Sequence, residues 1–169
     1  IKANDNINFD LKRGEVHALL GENGAGKSTL MSVLFGIYKQ EEGEIFINNE
    51  IVDIADPKVA TKLGLGMVHQ HFKLVHNFTA IQNIILGIEE TKKGVLNYKN
   101  ARKKIIELSN KYNLNIDPDT KISDMSVGMQ QRVEILKVLY RDASIIILDE
   151  PTAVLTPQEI DELMNIIKV

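Results

Sequence analysis

Cysteine is missing from all 169 positions, which excludes disulfides and thiolate metal sites and fits a reducing compartment. A net positive charge is missing too. With 20 Lys and Arg against 23 Asp and Glu the formal charge is −3, so no global field draws in nucleic acid or an anionic membrane. Any anion must be held by local groups, and no nucleic-acid partner is expected. Long apolar runs are also lacking: short pieces such as IIIL at 145–148 fall far below the roughly 18 residues of a membrane span. The chain is therefore not expected to cross a bilayer alone. Internal repeats and low-complexity tracts are not seen. What remains is 44% apolar residues in a length that suits one domain with a substantial core.

The opening IKANDNINFDL alternates apolar and polar residues as a half-exposed strand does, and EVHALL at 15–20 reads as a second, more buried strand. STLMSVLFG then takes helical spacing and stops at Gly36. EIFINN at 44–49 is a strand running into an Asn-rich turn. DPKVATKLG at 56–64 starts on Asp-Pro and ends on Gly, as a short helix should, and LGMVHQ at 65–70 is another buried strand. From Phe72 to about Arg141 helical patterns dominate, in TAIQNIILG, YKNARKKIIELSNKYNL and SVGMQQRVEILKVLYRD. SIIILDE at 144–150 has the near-continuous apolar character of a parallel strand covered on both faces. TPQEIDELMNIIKV opens on cap and first-turn residues and continues as an amphipathic helix. Ile1 is not a methionine and the helical pattern runs to Val169, so the chain reads as a fragment of a larger polypeptide.

Between the strand pattern at 15–20 and the helix pattern that follows lies GENGAGKSTL, three glycines around one lysine. Gly21, Gly26, Lys27 and Ser28 satisfy G-x-x-x-x-G-K-[ST] in the setting that motif needs. Glycines let successive backbone N–H groups turn inward around a phosphate, the helix start adds positive dipole, and Lys27 adds a full charge. The candidate phosphate site is thus Gly21, Glu22, Asn23, Gly24, Ala25, Gly26, Lys27, Ser28 and Thr29, with the Ser28 hydroxyl expected to hold Mg²⁺.

Asp149, at the exit of the apolar strand, is placed to hold Mg²⁺ through its water shell, and Glu150 lies one residue nearer a terminal phosphate. Alternation along a strand would aim the two carboxylates apart, one toward metal and one toward water. Ser126 is read either as a plain cap of the following helix or as part of an anion site at that helix start, and both roles are compatible. His69, His71 and His76 do not have the spacing of a metal motif.

Taken in order, GENGAGKST, MVHQ, SDMSVGMQQRVEILKVL and IIILDEPT make nearly the whole chain resemble the ATPase domain of the ATP-binding-cassette family. A glycine loop alone admits kinases and GTPases; MSVGMQQR ahead of the LDEPT strand is far more specific. The resemblance implies an α/β P-loop NTPase with a mainly parallel core sheet, N-terminal antiparallel strands and a helical insert, the core being 1–71 and 142–169 and the insert 72–141. It implies ATP and Mg²⁺ as ligands, Glu150 as general base, and Gln70 as sensor of Mg²⁺ and the attacking water. Ser28, Gln70 and Asp149 would hold the metal. Ser126, Gly128 and Gln130 would form the signature that meets ATP bound to the opposite cassette.

The pattern is not complete. Val127 and Met129 replace a glycine and the glutamine of the usual signature, and Ala153, Val154, Leu155 and Thr156 stand where the family usually has Ser-Ala-Leu-Asp. The first departure implies a weaker contact to a trans phosphate, and the second removes the aspartate that in the family helps link the two ATP sites, which implies one site less active than the other. VHQHFKLVHNFTAIQNIILG, SVGMQQRVEILKVLYR and TAVLTPQEI look like the first cassette of tandem-cassette importers of simple sugars and nucleosides. Expected partners are then a second cassette, transmembrane permease subunits and, indirectly, a substrate-binding protein, at the cytoplasmic side of the membrane. A soluble cassette ATPase acting on ribosomes or DNA is the alternative.

Overall fold

A computed structural model describes residues 2–70, 72–92, 94–153 and 155–167. His71, Val154 and the two ends, which entered the expectations above, lie outside the described residues. The chain forms two compact units, Ile1–Leu63 and Gly64–Val169.

In the first unit the two expected strands at 1–11 and 15–20 are not formed. Val16 is 70% and Leu20 92% exposed, and Asn6 takes a positive φ of 51°. A strand exists through its neighbours, and no strand of the described residues pairs with either segment. Helix α1 (Lys27–Leu34) follows, and the chain leaves it through Gly36 at φ 74°. A Cβ there would stand 2.7 Å from the Asp56 carbonyl, so glycine is required by both conformation and space. Strands β1 (Ile45–Ile47) and β2 (Glu50–Val52) pair antiparallel with Ile47 opposite Glu50. The two residues between them, Asn48 and Asn49, both have positive φ, 53° and 65°, as a tight hairpin turn demands. Helix α2 (Pro57–Lys62) is capped by Asp56, whose carboxylate accepts from the N–H groups of Lys58 and Val59 at 2.7 and 2.9 Å.

The second unit is built on β3 (Leu65–Val68) and β6 (Ile145–Leu148), parallel and in register from Leu65 opposite Ile145 to Val68 opposite Leu148. The strand at 145–148 is not covered equally on both faces, since Ile147 is buried while Ile146 is 39% exposed. Among the described residues its only paired neighbour is β3. Helices α3 (Ala80–Ile85), α4 (Tyr98–Lys111) and α5 (Val127–Tyr140) enclose a core that includes Ile84, Ile105, Leu114, Ile122, Val133 and Leu136. A two-residue-stranded hairpin, β4 (Thr91–Lys92) with β5 (Val95–Leu96), joins α3 to α4 and was not foreseen in the helical pattern. Gly66 brings α5 onto β3: a Cβ there would lie 2.1 Å from Val138 Cγ1. Helix α6 (Pro157–Ile167) buries Leu163 and closes the described chain. No helix among the described residues is long and apolar enough to cross a membrane.

Candidate functional site

In the first unit the glycine loop has the form its composition calls for. Gly24 and Gly26 sit at φ 85° and 86°, a left-handed conformation that costs side-chain-bearing residues dearly, and Gly26 caps α1. A Cβ on Gly26 would meet the Ala3 carbonyl oxygen at 2.4 Å. Ala25 N–H bonds to the Glu22 carbonyl at 3.2 Å, closing the turn. The Lys27 ammonium donates to the carbonyls of Gly21 and Glu22 at 2.7 and 2.9 Å, which holds its charge at the mouth of the loop. Ser28 and Thr29 lie in the first turn of α1, at the positive end of the helix dipole.

In the second unit β3 and β6 end side by side, and the Asp149 N–H extends the pairing by donating to the Val68 carbonyl at 3.1 Å. That register puts Gln70 and Glu150 together: Gln70 Nε2 donates to Glu150 Oε2 at 2.8 Å. The strand ends at Leu148, so strand alternation does not set the directions of Asp149 and Glu150. Glu150 lies in the following turn with φ 46°, a strained conformation for a non-glycine residue and one that accompanies functional sites. His69, next to Gln70, has its pKa lowered by burial and, less, by Lys73.

The signature residues are placed in the same unit with unequal duties. Ser126 caps α5, its hydroxyl accepting from Met129 N–H at 3.3 Å, and its side chain remains exposed. Gly128 is buried, and its N–H donates to Glu159 Oε1 at 3.1 Å. Gln130 turns back on its own chain, donating to the carbonyls of Met125 and Ile122 at 3.1 and 3.4 Å, so it braces the turn before α5. The Glu159 carboxylate also accepts from Thr156 N–H and hydroxyl at 3.0 and 3.1 Å, a capping box across the start of α6. These bonds, the Thr156 N–H first, hold its pKa below the ordinary glutamate value.

Sequence reasoning missed several polar residues that fix this site. Gln131, 3% exposed, donates from Nε2 to the Pro151 carbonyl at 2.8 Å, and Glu134, also 3% exposed, accepts from Lys73 N–H at 2.7 Å. Lys137 donates to the Lys73 carbonyl at 3.2 Å, and burial lowers its pKa. Asn83, 1% exposed, accepts from Val75 N–H and donates to the Val75 and Thr79 carbonyls. Each stands at a helical position where an apolar residue is the default, and that polar interruption was the available signal.

A glycine loop that presents lysine at a helix start, in a chain that also has a parallel strand followed by Asp-Glu, defines a P-loop nucleotide-binding protein. The sequence profile of the family described as ABC transporter matches residues 4–153, and the chain belongs to that family. It is 61% identical over 168 residues to the guanosine import ATP-binding protein NupO of Bacillus subtilis (strain 168), covering 99% of this chain and 33% of the relative. It is 60% identical over 166 residues to the nucleoside import ATP-binding protein NupA of Lactococcus lactis, covering 98% of this chain and 33% of the relative. The chain thus spans about a third of the length of these relatives. Among solved structures, cbiO1 from Clostridium perfringens, part of the ABC transporter complex cbiONQ, superposes with a TM-score of 0.79 at 34% identity, over 96% of this chain and 64% of that one. The cassette MJ0796, in a dimeric post-hydrolysis state bound to ADP and Pi, gives 0.75 at 29%, over 97% and 72%.

Proposed function

We propose that this chain is the nucleotide-binding part of an ATPase that drives import of a nucleoside or simple sugar through a membrane permease, on the cytoplasmic side. The observation that carries the catalytic reading is the 2.8 Å hydrogen bond from Gln70 to Glu150 at the ends of two parallel strands. The printed names of the relatives, import ATP-binding proteins for guanosine and nucleosides, support the transport reading. Residues 72–141 form its helical part; Ser126, Gly128 and Gln130 of this chain meet ATP bound to a second cassette, whose own signature meets the ATP held by this chain's glycine loop.

In this reading the loop amides and Lys27 bind the β- and γ-phosphates of ATP and orient the terminal one. The residues proposed for a cation, Ser28, Gln70 and Asp149, would supply hard oxygens, the donor chemistry that Mg²⁺ takes. Bound there, the metal would neutralise charge on the phosphate oxygens. Glu150 accepts the proton of the attacking water, and Gln70, by holding one carboxylate oxygen, fixes which oxygen is presented. Tautness between cassettes comes from the shared terminal phosphate, so its departure lets them part.

The test is ATP binding and phosphate release by the full-length protein with and without Mg²⁺, and nucleoside or sugar uptake by vesicles holding it with its permease. Phosphate release with no uptake of either solute class would remove the import reading and keep the ATPase one.

A further inference from the structure

Helix α5 begins with the signature residues and carries two buried polar side chains one turn further on. Gln131 and Glu134 are three positions apart and so share a face of the helix. Gln131 reaches the carbonyl of Pro151, the residue directly after Glu150. Glu134 reaches the N–H of Lys73, three residues after Gln70, and Lys137, one turn on, takes the carbonyl of that same Lys73. Lys137 Nζ and Glu134 Oε2 are 3.8 Å apart, so the two clamps on Lys73 support each other. One face of one helix therefore holds both backbone segments that deliver the Gln70–Glu150 pair.

Both side chains are 3% exposed, and neither has an apolar alternative that would leave its backbone partner satisfied. The Glu150 turn lies in left-handed backbone, a conformation that persists only where the surroundings over-determine it. The bond from Gln131 to the next carbonyl supplies such a constraint. A hydrogen bond of 2.8 Å between two side chains on separate strands loses its alignment with shifts well under an ångström at either backbone.

We infer that Gln131 and Glu134 are positioning residues for hydrolysis: α5 sets the distance between Gln70 and Glu150 through them, so a movement of the signature end of that helix is felt at the water-activating pair. The inference rests on the proposed roles of Gln70 and Glu150.

The experiment uses the full-length protein with its permease and compares Gln131→Met, Glu134→Leu and Glu134→Gln with wild type and Glu150→Gln. Steady-state phosphate release gives kcat and KM, and nucleotide affinity is read separately by titration. Gln131→Met and Glu134→Leu are expected to lower kcat at least tenfold with KM and nucleotide affinity within twofold of wild type. Glu134→Gln, whose amide oxygen still accepts from Lys73 N–H, is expected to keep kcat within threefold. Combined with Glu150→Gln, either variant is expected to cause no further loss. The inference is overturned if Glu134→Leu and Gln131→Met leave kcat intact, or if Glu134→Gln is as damaged as Glu134→Leu, since charge and not the hydrogen bond would then matter. Loss of nucleotide binding in Gln131→Met and Glu134→Leu together also overturns it, because a role in general folding would account for both. If Glu150→Gln retains wild-type kcat, the catalytic reading has failed, a result separate from any behaviour of α5.

Discussion

Gln70 Nε2 and Glu150 Oε2 stand 2.8 Å apart, 80 residues distant in sequence and joined by the register of two parallel strands. A carboxylate held by one oxygen presents the other in a defined direction, which is what a base acting on water requires. Glu150→Gln in the full-length protein is expected to bind ATP as wild type does and to lose phosphate release by about 100-fold or more, the range of general-base removal. Equal rates in a single-turnover assay would take Glu150 out of that role.

Lys27 donates its ammonium protons to two carbonyls at the loop mouth, so its charge is poised where phosphate oxygens would arrive. Lys27→Ala removes charge-assisted hydrogen bonds of about 1.5–3 kcal/mol each. Nucleotide affinity is expected to fall by about 100-fold, the equivalent of roughly two such bonds at minimum strength. Calorimetric titration checks this, and unchanged affinity would exclude the loop as the phosphate site.

Asn83 saturates the backbone of Val75 and also reaches Thr79, all from a position 1% exposed. Asn83→Ala leaves the Val75 N–H seeking a partner in a half-buried turn, while the Val75 and Thr79 carbonyls keep the backbone N–H groups of Phe78 and residue 83. A loss of about 1–3 kcal/mol is expected, the cost of one unsatisfied group. The urea midpoint reports it, and a shift of less than about 0.5 kcal/mol would mean that water satisfies this group.

Glu159 has its pKa held below the ordinary 4.5 by hydrogen bonds to Thr156 N–H, to the Thr156 hydroxyl and to Gly128 N–H. The sign follows: the carboxylate contributes stability above pH 4.5, and that contribution is lost as pH falls through the lowered folded value. Glu159→Gln, which does not titrate, is expected to show a shallower fall in denaturation midpoint between pH 5 and the acid limit. Superimposable acid limbs for the two proteins would contradict the assignment.

Gly128→Ala would place a Cβ 2.3 Å from Glu159 Oε1. The carboxylate is the free end of a side chain and can withdraw, so the variant is expected to fold while losing the Gly128–Glu159 bond, at about 1–2 kcal/mol. The lowered thermal midpoint of Gly128→Ala is expected to shrink when Glu159→Gln is already present, and losses that simply add would contradict the coupling.

Legibility varied with how local the cause was. The glycine loop, the Asn48–Asn49 turn, the Asp56-Pro57 helix start and the Ser126 cap were readable because each is set by residues within a few positions. The segments at 1–11 and 15–20 carry a strand pattern, yet pattern supplies only willingness to pair, and the ladder depends on a neighbour that local sequence does not name. Of the candidate site residues, Gln70, Asp149 and Glu150 were proposed from motif order, and the structure brings Gln70 and Glu150 into hydrogen-bond contact. Gln131, Glu134 and Asn83 were not proposed, because a buried polar residue on a helix looks like a surface residue until its distant backbone partner is known.

The seat at the head of α5 is already taken, by the carboxylate of Glu159. Any other anion that uses the Gly128 amide must evict a tenant from the same chain, so its apparent affinity is a contest between two acids rather than a gain over water. Whatever tugs α6 aside tilts that contest, and entry there is an exchange reaction whose competitor travels with the molecule.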